Sequence, residues 1–308
     1  MVEELTMAVK AKEFRKYLDP SVVSKLKTLE LRARMVVEGF MVGLHKSPYH
    51  GFSVEFSQHR PYMQGDSLKN VDWKVYAKSE KYFIKQFEEE TNLISSIFLD
   101  VSNSMNFKYD AKVTKLDYAA NLAAALCYIM INQQDSVGLV TYSDTIQSYL
   151  SPKSNRIYLT NLLTALAHAK PVGKTKFNRC LESVAEKIKK RGLTIIISDF
   201  FDDIETTISA LKRIHFKKNE VIVFQILDPI EKSFGFDRDA IFVDLESGEK
   251  LTSQPHHIQK AYQEAMREFL GRIKTECLNL GIEYNLIETT QPFDKALMSY
   301  FSKRGKLC

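Results

Sequence analysis

At 308 residues the chain has room for one large domain or two smaller ones, and 44% hydrophobic against 26% charged residues is the make-up of a globular protein with a sizeable core. The 43 Lys+Arg exceed the 38 Asp+Glu by only a formal +5, spread along the chain, which does not by itself mark a nucleic-acid or membrane-surface binder. The first thirty residues are charged throughout and lack the apolar centre of a secretory signal. The most apolar stretch, residues 122–131, is about half a membrane span, so the sequence points to a cytoplasmic protein.

Along the chain, an amphipathic helix is expected around residues 21–37. Glycines among aromatic and β-forming residues (Phe52, Val54, Phe56, Val71, Trp73, Tyr82, Phe83) then suggest a small β-rich module, so that residues 1–93 form an N-terminal part. From residue 94 the pattern alternates. Ile97-Phe98-Leu99 reads as a buried strand and residues 116–133 as a helix apolar nearly all round. Residues 137–142 and 146–150 read as a hairpin about Ser143-Asp144-Thr145. Helices follow from Ile157, Leu162, Leu163 and Leu166, and from Phe177, Cys180, Leu181, Val184 and Ile188.

Residues 194–198 and 221–227 are β-branched runs without polar alternation, as central parallel strands require; between them Ile204, Ile208, Leu211 and Ile214 outline a helix. Residues 228–252 read as an inserted loop and hairpin. A long helix then runs from Pro255 to Gly281, and residues 282–287 form the closing strand. Strands alternating with helices predict an α/β fold with a doubly wound, mostly parallel sheet over residues 94–308. Of the four cysteines, Cys127, Cys180 and Cys277 fall in helical stretches as small hydrophobes, while Cys308 ends the chain; none has metal-ligand spacing.

The first predicted core strand ends in Asp100-Val101-Ser102-Asn103-Ser104. Ligands of open α/β sheets bind beyond the carboxyl ends of the strands, and an Asp-x-Ser-x-Ser loop there offers one carboxylate and two hydroxyls to a cation. Hard, oxygen-seeking Mg2+ or Mn2+ suits them. The strand ending at Ser198 delivers Asp199 to the same edge, and Thr175, after Gly173-Lys174, adds a further hydroxyl.

Other chemistries fit less well. Aspartyl phosphotransfer needs a second carboxylate two residues after Asp100, where Ser102 stands. A phosphate-binding loop needs a glycine where His168 stands, and neither Ser102, Ser104 nor Ser198 has a nucleophile-elbow frame. Basic residues at 187–191 and 302–306 keep RNA binding as the alternative to protein binding.

Asp100, Ser102, Ser104, Thr175 and Asp199 together resemble the metal-ion-dependent adhesion site of von Willebrand factor A-like domains. Upstream, Arg60-Pro61-Tyr62-Met63-Gln64-Gly65-Asp66, Val71-Asp72-Trp73-Lys74 and Phe87-Glu88-Glu89-Glu90 resemble the signature of the bacterial domain of unknown function fifty-eight. Lys69 and Lys78 stand where that family usually has arginines. The resemblance implies a Mg2+ (or Mn2+) site of those five residues, whose open coordination position takes a Glu or Asp carboxylate from a protein partner. It also implies no enzymatic activity, a MoxR-type AAA+ ATPase as partner, and a structural role for Arg60, Asp66 and Asp72.

Overall fold

A computed structural model of the chain describes residues 19–24, 26–45, 60–61, 82–84, 93–109, 111–174, 192–216, 219–236, 240–245 and 248–304. The chain divides into a larger unit, residues 1–46 with 92–308, and a smaller one, residues 47–91. In the smaller unit β1 (Arg60–Pro61) pairs antiparallel with β2 (Phe83–Ile84). Asp66, Asp72 and Trp73 of the upstream motif lie outside the described residues, as does the helix expected from Phe177 to Ile188.

The larger unit is built on six strands: β3 (Ile94–Asp100), β4 (Ser136–Tyr142), β5 (Ile146–Lys153), β6 (Leu193–Ser198), β7 (Glu220–Leu227) and β10 (Glu283–Glu288). Their order across the sheet is β10-β7-β6-β3-β4-β5. All neighbours are parallel except β5, which returns antiparallel along β4 as the expected hairpin. Every residue of β6 and all but the first of β7 are buried. Both faces of these strands are covered, which is why their sequences run apolar instead of alternating.

Helices cover the two faces. On one, Phe98, Ile196 and Val223 of the sheet pack with Ala210, Leu211 and Ile214 of α5 (Ile204–Phe216) and Ile273 and Cys277 of α7 (Pro255–Asn279). Helix α7 stops where Gly281 takes a positive φ of 67°, the left-handed position that favours glycine after a helix. Elsewhere α3 (Lys115–Asn132) packs against β3 and β4 and is itself covered by α2 (Leu29–His45) and α4 (Arg156–Ala167). Burial from several sides explains its nearly all-apolar sequence.

Three helical features differ from the sequence expectation. Near the N-terminus there is a short α1 (Pro20–Val23) and then α2, which runs through Gly39 and Gly43 to His45 and belongs to the larger unit. Its buried Ala33, Val36, Val37 and Phe40 recur at helical spacing, and packing against α3 outweighs the glycine cost of about 1 kcal/mol each. A short α6 (Pro229–Ser233) opens the segment read as an insertion, started by an Asp228–Glu231 capping box. A final α8 (Asp294–Arg304) sits beside the core, with Phe301 stacked on Phe40 and the preceding Phe293 on Tyr118. The hairpin of β8 (Ala240–Val243) and β9 (Lys250–Ser253) follows α6, with Phe242 against Phe234 and Phe236.

The starts of β3 and β6 approach closely at Gly192, where a Cβ would lie 2.1 Å from the Ile94 carbonyl oxygen. Gly192→Ala is expected to cost about 3 kcal/mol, since backbone must move to admit the methyl. The measurement is urea unfolding, with a lower midpoint and an unchanged slope.

Candidate metal and carboxylate site

Strand β3 lies where the sheet order reverses: the chain passes from it to β4 and β5 on one side, and later to β6, β7 and β10 on the other. At such a switch point the loops leaving adjacent strands diverge and open a crevice beyond their carboxyl ends. Asp100, the last residue of β3, and Asp199, directly after β6, both stand at that edge, and both are fully buried.

The Asp100 carboxylate is held by neutral donors. Its Oδ1 accepts the Ser102 backbone N–H at 2.9 Å, and its Oδ2 accepts the Ser198 hydroxyl at 2.6 Å. The Ser102 and Ser104 hydroxyls lie 3.0 Å apart, on the loop that enters the single 3-10 turn Asn103–Asn106. That loop is pinned from the other side: Val172 N–H donates to the Val101 carbonyl and Asn103 N–H to the Gly173 carbonyl. Gly173 has φ 67°, the left-handed region that favours glycine, and a Cβ there would press on Asp144 Oδ1 at 3.2 Å. Thr175 lies two residues further on, outside the described residues.

Asp199 has a different environment. Its Oδ2 is 2.7 Å from the Lys115 ammonium, its Oδ1 accepts the Phe201 N–H at 3.2 Å, and its carbonyl accepts from Gln225 Nε2. Lys115 is 0% exposed and reaches a second carboxylate, Glu231 Oε1 of α6, at 2.6 Å. Glu231 Oε2 accepts the Asp228 N–H, closing the capping box. Lys115 owes its place to another box: Thr114 accepts from the Asp117 N–H and Asp117 from the Thr114 N–H, which starts α3 at Lys115.

The electrostatics follow from burial. Desolvation, and then the charge of Asp199, push the Asp100 carboxyl up to about 7 against the lowering effect of its hydrogen bonds. Burial likewise raises Glu231, with Lys115 opposing. Burial would lower Lys115, but the two carboxylates outweigh it and hold the ammonium above its ordinary value, so it is charged at neutral pH. Asp199 and Glu231 thus share one ammonium, whereas Asp100 is bonded to neutral donors.

A divalent cation fits this donor set. Asp100, Ser102 and Ser104 present oxygen only, and among the described residues the Asp100 carboxylate is bonded to neutral donors alone. Among the described residues there is no group of three His, Cys, Asp or Glu suited to a metal, so any ion here relies on hydroxyls. Among the described residues the Ser102 and Ser104 hydroxyls bond to each other and to no histidine.

Of the residues expected from the sequence, the structure gathers Asp100, Ser102, Ser104 and Asp199 at one sheet edge. It adds Ser198, Lys115 and Glu231. The signal for Lys115 was present: it is the one cation in α3, placed at a capping-box start. Glu231 lay hidden in a segment read as loop. Ser198→Ala removes the hydroxyl that joins Asp100 to the Phe200 N–H, and is expected to cost about 1–3 kcal/mol in urea unfolding.

A mostly parallel six-stranded α/β sheet with an acid-and-hydroxyl loop at its switch point defines the class of protein. The profile described as Protein of unknown function DUF58 matches residues 58–269, and the chain belongs to that family. It is similar to uncharacterized proteins of Mycobacterium tuberculosis and Mycobacterium bovis, each 25% identical over 233 residues, covering 75% of this chain and 73% of theirs. Among solved structures it is similar to the conserved hypothetical protein BatB from Bacteroides thetaiotaomicron, at 17% identity over 70% of this chain and 98% of that one, TM-score 0.49. Another is the SpRpn10 VWA domain, at 17% identity over 67% of this chain and 94% of that one, TM-score 0.42. Among the described residues no helix is long and apolar enough to cross a membrane.

Proposed function

We propose that this protein is a non-enzymatic interaction module which docks a Glu or Asp carboxylate of a protein partner onto Mg2+ (or Mn2+) held by Asp100, Ser102 and Ser104, with Thr175 and Asp199 completing the site. The observation that carries the reading is the buried Asp100 carboxylate, bonded only to neutral donors and set beside a pair of hydroxyls at the switch point of the sheet. A bound ion would supply positive charge to an incoming carboxylate. The chain's own residues do the rest. Asp100 and the serines orient the loop, Ser198 fixes the Asp100 carboxylate, and the Val172 and Gly173 backbone keeps the loop from spreading. The family likeness supports a MoxR-type AAA+ ATPase as the partner and an adaptor role in protein activation or assembly.

The test is capture from native extract on the immobilised protein, with Mg2+ or with excess chelator, for the wild type and Asp100→Ala. An AAA+ ATPase recovered only by the wild type and only with Mg2+ is the expected result. Capture that survives both chelation and Asp100→Ala rules out the metal bridge; binding that ignores the chelator but falls steeply with salt identifies a nucleic-acid binder instead.

A further inference from the structure

We propose that Lys115 is a positioning residue that holds Asp199 outside the inner coordination sphere of the divalent ion, leaving the ion enough charge to take up a partner's carboxylate. This rests on the metal reading above and assigns a role to a residue outside the metal-binding set.

The two aspartates at the sheet edge are equally buried and differ in what they bond. Asp100 accepts from an amide and a hydroxyl, both neutral, so its charge is available to a cation. Asp199 Oδ2 is already in contact with an ammonium, and an ion bonded to that same carboxylate would be forced against a like charge in a dry site, where repulsion is weakly screened.

The ammonium is not free to withdraw. It is 2.6 Å from Glu231 Oε1, and Glu231 is anchored by the Asp228 N–H at its other oxygen. The Phe201 and Phe107 rings flank the ammonium at 4.8 and 5.8 Å. Helix energetics do not account for it either: Lys115 is the first residue of α3, where the helix dipole opposes a cation. Each carboxylate drawn into the inner sphere cancels one charge of the ion, so diverting Asp199 to Lys115 preserves the ion's attraction for an external acid.

The experiment reads Mn2+ affinity and the number of Mn2+-bound exchangeable waters, by proton relaxation, on the full chain. Asp100→Asn is expected to weaken Mn2+ more than 100-fold. Asp199→Asn is expected to leave the water count unchanged and to weaken Mn2+ by about 10–100-fold, as for a group outside the inner sphere. In Lys115→Met/Glu231→Gln, Asp199 is released to the ion. Mn2+ is expected to bind at least tenfold tighter with one water fewer, and adding Asp199→Asn is expected to erase that gain. The role is overturned if the Lys115→Met/Glu231→Gln protein folds and binds Mn2+ no more tightly. It is also overturned if Asp199→Asn alone adds a water or costs as much as Asp100→Asn, which decides the matter even where the double variant does not fold. A wild type that binds no Mn2+ overturns the metal reading itself, and this role with it.

Discussion

Lys115→Met is expected to destabilise the protein by about 3–5 kcal/mol, the usual result of removing one partner from a buried ion pair. The methionine fills the space of the lysine stem but leaves the buried Asp199 and the largely buried Glu231 without their shared cation. Adding Glu231→Gln is expected to recover part of the loss, because one charge is then stranded instead of two. A useful comparison is Lys232–Glu288, at 3.1 Å with side chains 50% and 23% exposed. Solvent already serves those groups, and breaking that pair costs under about 1 kcal/mol. Urea unfolding of the three variants checks the expectation. A loss below 1 kcal/mol for Lys115→Met would show that the buried cluster is not held together by its lysine.

Stabilisation by Mg2+ is expected to be strongly pH-dependent. Burial and Asp199 raise the Asp100 carboxyl to about 7 in the folded protein, against roughly 4 in the unfolded chain. The folded state therefore holds the proton more tightly. Without metal, the contribution of Asp100 to stability is fully present below the unfolded value, is lost as pH rises from roughly 4 towards 7, and does not change above that. Mg2+ competes with the proton for the ionised carboxylate. The rise in melting temperature on adding Mg2+ should then be small at pH 5.5, grow through pH 7 and level off by pH 8. Asp100→Asn removes this titrating group, so it should remove its part of the metal-free profile and abolish the Mg2+ response. A response in the wild type that is equal at pH 5.5 and pH 8 would separate Asp100 from the metal.

How much of this was legible in the sequence depended on whether a feature is local. β-Branched runs such as residues 194–198 report their own burial, since a strand covered on both faces has no reason to alternate. The same holds for the helix beginning at Pro255, whose apolar stripe and terminal glycine lie within one segment. The helix from Leu29 to His45 was harder. Its glycines argue against helix locally, and only the face it buries against α3 outweighs them. Ile157 shows the converse: it fits the apolar stripe of its helix, yet in the first turn of α4 it is 77% exposed.

The alternation of strands and helices, and the placing of Asp100, Ser102, Ser104 and Asp199 at strand ends, were determined by the sequence alone. They follow from unbroken apolar runs and from a 3.6-residue period, both of which a short window contains. Tertiary structure alone decided what those residues meet. Lys115 and Glu231 are 116 residues apart in the chain, and Ser198 and Asp100 are 98 apart. No local pattern relates positions so distant; the sheet order does, by laying β6 beside β3 and turning the start of α3 towards both. The five-residue pattern thereby becomes a site with unequal aspartates, one bonded to neutral donors and the other to a lysine.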